Sequence, residues 1–222
     1  MGKTIFITGV DTDIGKTFVS LGLALSLKSK GYSVGYFKPF QSGAYEKNGK
    51  LIAPDPDEFI KYESEIKTKY SYLFKGEVSP HLASLIDNVE VDIIKVQNDL
   101  KEFSSQFNYT IIEGAGGLYC PAIKNNLFSD IIKKLNQEII IVTTPALGRL
   151  NHTLMTIECA KLNNIKIKGL IINKMPDNAT LSESNFVKEL KLFSDIKILG
   201  IIPEIKNPEK ESIINAFSGI CL

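Results

Sequence analysis

Arginine and histidine are nearly absent from this 222-residue chain, and cysteine is sparse. Arg149 is the only arginine, so the basic residues are almost all lysine. The histidines, His81 and His152, are too few and too far apart in sequence to suggest a metal centre. Cys120, Cys159 and Cys221 show no CxxC or Cys/His spacing, which argues against a disulfide framework and a zinc site. Net charge is +1, without the strongly basic balance of a nucleic-acid surface. The longest apolar runs, such as Ile139 to Val142, are too short to span a bilayer. The chain enters a strand-like run at once, Lys3-Thr-Ile-Phe-Ile-Thr8, with no charged-then-apolar leader. A cytoplasmic protein that meets neither nucleic acid nor membrane is expected. No repeat, low-complexity tract or Pro/Gly linker divides the chain, so residues 1–222 are expected to form one domain. That length buries a full core without disulfide or metal staples.

What is present is an alternation of short β-rich apolar runs with longer amphipathic segments. The runs are 4–8, 33–37, 109–113, 138–144, 167–173 and 198–202. Most carry apolar residues at consecutive positions, the pattern of strands buried on both faces of a parallel sheet. Helices are expected over 16–30, 57–64, 81–86, 92–107, 128–135, 151–163, 182–193 and 209–216. In the fourth of these, Ile93, Val96, Leu100, Phe103 and Phe107 form one apolar stripe. The expected fold is therefore α/β: a doubly wound, mostly parallel sheet with helices on both faces, of the P-loop NTPase type. Residues 39–56 read as a long loop, and long loops in compact domains are often functional. Ligands of such sheets sit beyond the carboxyl ends of the strands, so the residues there are the ones to inspect.

After the first strand comes Gly9-Val-Asp-Thr-Asp-Ile-Gly-Lys-Thr17, then a helix. This is the P-loop pattern in its required setting. Its glycines let backbone N–H groups face a phosphate, and the helix N-terminus adds its positive dipole end. Lys16 supplies a point charge for the β- and γ-phosphates, and the Thr17 hydroxyl is a hard oxygen ligand suited to Mg²⁺. The motif marks an ATP-using enzyme.

Three further groups sit at strand ends. Glu113 closes Ile111-Ile112-Glu113, and a carboxylate there needs a cation or donors to face. The Gly114-Ala-Gly-Gly117 run behind it offers N–H groups and close backbone approach. Lys38, in Tyr36-Phe37-Lys38-Pro39-Phe40-Gln41-Ser42-Gly43, is a second cation for a transferred phosphoryl group or an anionic substrate. Ser42 adds a hydroxyl. Of Asp55 and Asp57, one can cap the following helix while the other reaches a metal, and the pattern does not separate them. No general acid/base pair or activated nucleophile is evident, so positioning and charge stabilisation are left as the catalytic means.

In these stretches, together with Ser79-Pro80-His81, Gly148-Arg-Leu-Asn-His152 and Asn173, the chain resembles the dethiobiotin synthetases. The motifs run in that family's order across nearly the whole chain. The resemblance implies carboxylation and ring closure of 7,8-diaminopelargonate with CO₂ and MgATP. A carbamate forms on one amine, the γ-phosphate moves onto it, and the second amine attacks the mixed anhydride. It implies that Thr12, Lys16 and Lys38 are catalytic. Thr12, Lys38, Ser42, Gly117 and Asn151 would bind substrate, and Thr17, Asp55 and Glu113 would bind Mg²⁺. Asp13, Ile14, Gly15, Lys16, Thr17, Phe18, Asp55 and Glu113 would bind nucleotide. So would Gly114, Ala115, Gly116, Asn173, Lys174, Pro203, Glu204, Ile205 and Glu209. Asn151 belongs to the stretch that reaches a partner subunit's substrate site, so a homodimer is implied. Asp13 stands where the family often has Glu. Arg149 lies in the substrate stretch, and a contact with the substrate's distal carboxylate is a further reading of it.

Two other P-loop classes compete. ParA/MinD-like switch ATPases carry a further lysine early in the loop, where this chain has Val10-Asp11-Thr12. Amide ligases of the cobyrinate type need a glutaminase with a Cys/His pair, for which the chain has neither room nor residues.

Overall fold

The computed structural model describes residues 2–222. In chain order the strands are β1 (Lys3–Gly9), β2 (Val34–Gln41), β3 (Tyr45–Lys47), β4 (Lys50–Ile52), β5 (Lys67–Leu73) and β6 (Tyr109–Gly117). They continue with β7 (Pro121–Ile123), β8 (Asn126–Leu127), β9 (Ile139–Thr143), β10 (Ile167–Met175) and β11 (Ile198–Pro203). The helices are α1 (Lys16–Ser29), α2 (Pro54–Tyr62), α3 (Pro80–Ile86) and α4 (Ile93–Ser104). The remaining four are α5 (Phe128–Lys134), α6 (Arg149–Leu162), α7 (Leu181–Phe193) and α8 (Lys210–Phe217).

Seven strands make one wholly parallel sheet in the order β11-β10-β9-β1-β6-β2-β5. β3 pairs with β4 and β7 with β8 as short antiparallel hairpins. The consecutive apolar residues divide between two cores. Ile5, Ile7, Ile111, Ile140 and Ile171 pack under α1 and α8. Phe6, Ile112, Ile141 and Ile172 pack on the other face against α4, α5, α6 and α7. Period two with both faces apolar is what a doubly wound sheet requires. Each such fully buried side chain contributes about 1.5–3 kcal/mol over leaving it exposed. α1 lies so close to α8 that a Cβ on Gly22 would stand 2.3 Å from the Phe217 ring; any larger side chain there would force the helices apart.

The chain passes from β1 through α1 to β2 and leaves the place between them for β6. This switch point opens the crevice in which the phosphate loop lies.

Three boundaries differ from expectation, and each bears on the site. β5 has no apolar run; Lys67-Thr-Lys-Tyr-Ser-Tyr-Leu73 is a partly exposed edge strand whose lysines suit an edge. β2 runs on to Gln41, because β5 pairs with it as far as Gln41↔Leu73 after the β6 ladder has stopped at Phe37↔Ile112. The stretch 39–56 is thus the end of β2, the β3–β4 hairpin and the start of α2. Glu113 lies within β6, not at its end. The register with β1 steps from Ile7↔Glu113 to Gly9↔Gly117, so the glycine run is a bulge inside the strand.

Candidate active site

The loop after β1 turns through the left-handed region at Asp13 (φ 55°) and Gly15 (φ 83°) before α1 begins. A Cβ on Gly15 would stand 2.3 Å from Asn173 Nδ2. Glycine is needed there for both its φ and its lack of bulk. No side chain caps α1 at Gly15, which leaves its first N–H groups for an anion. Lys16 is 8% exposed and donates to the Asp11 carbonyl at 2.8 Å. Burial holds its pKa below the ordinary lysine value, against the pull of Glu113.

Behind the loop lies a charged corner. Thr17 Oγ1 stands 3.2 Å from Asp55 Oδ1 and 3.0 Å from Glu113 Oε1, within donating reach of either. Lys38 Nζ donates to Glu113 Oε1 at 2.9 Å and to Asp55 Oδ2. Tyr36 donates its hydroxyl to Glu113 Oε2 at 3.0 Å. Lys38, Glu113 and Tyr36 are buried. Desolvation pulls the Lys38 pKa down, but Glu113 and Asp55 outweigh it and the net shift is upward. Desolvation and the same two carboxylates raise the Tyr36 phenol well above its usual range.

Asp55 and Asp57 separate here. α2 begins at Pro54 with Ala53 as its N-cap, so neither aspartate caps it. Both lie in its first turn, but Asp57 faces Tyr45 and Lys61 while Asp55 reaches the corner. Among the described residues no three His, Cys, Asp or Glu side chains cluster as a metal site. Two carboxylates and a hydroxyl are nonetheless a fitting partial set for Mg²⁺, which takes its other oxygens from phosphate and water.

Three adjoining cavities surround the loop. The largest, about 600 Å³, lies between the loop, Lys38, Ser42, Asp55 and Glu113. A second, about 450 Å³, is shared by Phe18, Asn173, Pro203, Glu204 and Ile205. Gly15 and Lys174 line both. Asn173 is 1% exposed; its Nδ2 donates to the Ile14 carbonyl at 2.9 Å, while its Oδ1 has no partner among the described residues. A buried acceptor left open beside such a cavity fits a nucleotide base with an amino group. The third cavity, about 490 Å³ and mostly apolar, runs from Thr12, Gly116 and Gly117 along α6 past Cys120 and Met155. Thr12 and Gly116 join it to the first.

The structure thus brings together most of the expected residues: Thr12, Asp13, Gly15, Lys16, Thr17, Lys38, Ser42, Asp55, Glu113, Ala115 and Gly116 around one cavity, Phe18, Asn173, Lys174 and Pro203–Ile205 around its neighbour. Ile14 is buried and serves through its carbonyl, and Gly114 packs on Phe6 and Phe128. Glu209 caps α8 and lines none of these cavities, and Asn151 lies exposed on α6 beside Met155. Arg149 donates to Asp11 Oδ2 at 2.6 Å. Tyr36 and Asp11 were not expected in the site. Tyr36 was legible in principle: it lies two residues before Lys38 and therefore on the same face of β2.

A parallel sheet, a P-loop at its switch point and a Thr/Asp/Glu corner define a P-loop nucleotide-dependent enzyme. Similar folds occur in the MinD protein of Pyrococcus horikoshii complexed with Mg-ADP (TM-score 0.63, 18% identity, 99% of this chain and 87% of that one). A ParA family ATPase of Chlorobium tepidum is alike too (TM-score 0.60, 14% identity, 99% and 92%). At such identities the likeness is one of fold. The family model described as AAA domain matches residues 3–212. ATP-dependent dethiobiotin synthetases are much nearer in sequence. That of Fusobacterium nucleatum is 37% identical over 215 positions, covering 94% of each chain. That of Clostridium novyi is 36% identical (93% of this chain, 90% of the relative), and that of Caldicellulosiruptor bescii 34% (98% and 92%). The chain belongs to the ATP-dependent dethiobiotin synthetase family.

Proposed function

We propose that this chain closes the ureido ring of dethiobiotin from 7,8-diaminopelargonate, CO₂ and ATP, with the Lys38 corner as the place of reaction. It is an ATP-dependent ligase of biotin biosynthesis, with ATP and Mg²⁺ as its cofactors. The observation that carries the siting is the buried Lys38, held by Asp55 and Glu113 beside a 600 Å³ cavity that the phosphate loop also lines. Lys38 and Lys16 face anionic groups there, and their charge offsets that which builds up as a phosphoryl group moves. Thr17, Asp55 and Glu113 hold Mg²⁺, which supplies charge neutralisation at the phosphates when bound. Thr12 and Ser42 hold the carbamate end of the substrate, and Gly117 stands where the apolar cavity receives its chain. Glu209 acts at the edge of the nucleotide site. The residues 1–222 act as one domain.

Asn151 reaches a second copy in a homodimer. Leu147 and Met155, exposed on either side of it, support that reading. The enzyme acts in the cytoplasm; no helix among the described residues is long and apolar enough to cross a membrane.

The test is phosphate release from MgATP with the diamine and bicarbonate added separately and together. Release should need both, with a ring product gaining one carbonyl by mass spectrometry. Basal hydrolysis indifferent to the diamine would overturn the proposal.

A further inference from the structure

The cavity that holds Lys16 and Lys38 has a second wall of opposite character. Gln41 lines it and is 3% exposed. Its Nε2 donates to the Ser42 carbonyl at 2.8 Å, and its Oε1 has no partner among the described residues. The amide cannot be turned over to hide that oxygen, because the Ser42 carbonyl needs a donor facing it. A buried acceptor left unpaired costs about 1–3 kcal/mol, so it points to a donor that arrives from outside.

Glu77 lines the same cavity. Asp55 and Glu113 are tied to Lys38, but Glu77 has no ion pair among the described residues. Its side chain lies against Gly43, where an added Cβ would meet Glu77 Cγ at 3.4 Å. The backbone fixes this placement. Phe74 N–H donates to the Gln41 carbonyl at 2.8 Å, Gly43 N–H to Gly76 at 3.0 Å and Ala44 N–H to Phe74 at 2.9 Å. The continuation of the β2–β5 pairing therefore sets Gln41, Ser42 and Glu77 side by side.

We infer that Gln41 Oε1 and the Glu77 carboxylate form an acceptor wall that binds the amine N–H groups of the diamine. The inference rests on the proposed function, which supplies the diamine. The two lysines suit the anionic carbamate and phosphate, but they repel an aliphatic ammonium and donate where an amine also donates. Glu77 offsets that repulsion as the cationic substrate enters. Gln41 accepts an N–H while leaving the lone pair of a neutral amine free to attack. The wall thus selects amines over ether or carboxylate groups, which bring no donor to this position, since an unpaired buried acceptor penalises the wrong ligand.

The experiment compares wild type, Gln41→Met and Glu77→Gln by calorimetric titration with the diamine and with MgADP, and by KM for each substrate. The expected result is a loss of diamine affinity of roughly tenfold or more in each variant, as for a hydrogen bond to a charged group. MgADP affinity and the KM for ATP should stay near wild type. An analogue with a methyl group in place of one amine should lose less in the variants than the diamine does. Diamine affinity unchanged in both variants overturns the inference, as does a parallel loss for diamine and MgADP in Glu77→Gln. If Gln41→Met loses MgADP binding through misfolding, the exposed Glu77 decides alone. Wild type that ignores the diamine altogether sinks the proposed function instead, so the two failures are told apart.

Discussion

At one end of the crevice Lys38, Asp55, Glu113, Thr17 and Tyr36 already hold one another, whereas at the other end Asn173 keeps its Oδ1 unpaired beside an open cavity. The first region carries buried charge and must neutralise it internally, or the fold would bear the desolvation cost. In the second the charged residues, Lys174, Glu204 and Lys206, are exposed and the buried group, Asn173, is neutral, so it can leave an acceptor open until a base supplies the donor. The difference matches two tasks. Groups that act on developing charge gain by being fixed in advance. A group that reads a base gains by being empty, because the wrong base then leaves it unpaired.

Replacing Lys38 should break the comparison most severely. Lys38→Met leaves Asp55 and Glu113 facing each other without their cation. Turnover should fall roughly 10²–10³-fold, the range for loss of one preorganised donor. Breaking a buried ion pair also costs about 3–5 kcal/mol, so the melting temperature without ligand should drop clearly. MgADP should still bind. Single-turnover phosphate release and thermal melts with and without MgADP measure these effects. Turnover within a few-fold of wild type would mean that the corner is structural only.

Asn173→Ala should act more mildly and on binding. It removes the open acceptor and the bond to the Ile14 carbonyl. The KM for ATP should rise roughly tenfold, with a smaller change in kcat, as for one buried hydrogen-bond group. Discrimination against GTP should shrink, since guanine presents an acceptor where adenine has its amino group. Equal losses in kcat and kcat/KM would place Asn173 with the catalytic corner and erase the contrast.

How much of this was legible in the sequence follows the same division. The phosphate loop is contiguous, so its residues and their chemistry could be read directly. The apolar runs revealed six of the seven sheet strands: five are buried on both faces over most of their length, and β11, at one edge, is apolar in sequence although little of it is buried. β5, at the opposite edge, escaped because its sequence, Lys67-Thr-Lys-Tyr-Ser-Tyr-Leu73, is mostly polar. With β5 unseen, the end of β2 was misplaced, and Gln41 and Glu77 could not be brought together. The family resemblance favoured Asp55 over Asp57, but the residue pattern could not separate them without the true start of α2, which has Ala53 and neither aspartate as its N-cap. Partnerships across 75 or more positions, such as Tyr36 with Glu113, have no local signature at all.

The smallest effect concerns the pair that combines both plans. Arg149 and Asp11 are in contact at 2.6 Å, yet their side chains are 26% and 45% exposed. The hydrogen bond from Arg149, aided by that from the Thr12 N–H, holds the Asp11 carboxyl below its ordinary value of 3.8. A carboxylate with a depressed folded pKa contributes stability above the unfolded value and loses it as pH falls through the folded one. Arg149→Met should therefore move the Asp11 pKa up towards 3.8, seen by carbon-detected NMR titration. It should cost under about 1 kcal/mol at neutral pH, because water and salt screen the pair. Melting curves of wild type and variant should converge below roughly pH 4, where both carboxyls are becoming protonated. The Asp11 carbonyl also receives Lys16, so a few-fold loss of turnover should accompany the change. A loss as large as that of Lys38→Met would show that Arg149 belongs to the fixed corner after all, and that exposure is a poor guide to which charges this enzyme depends on.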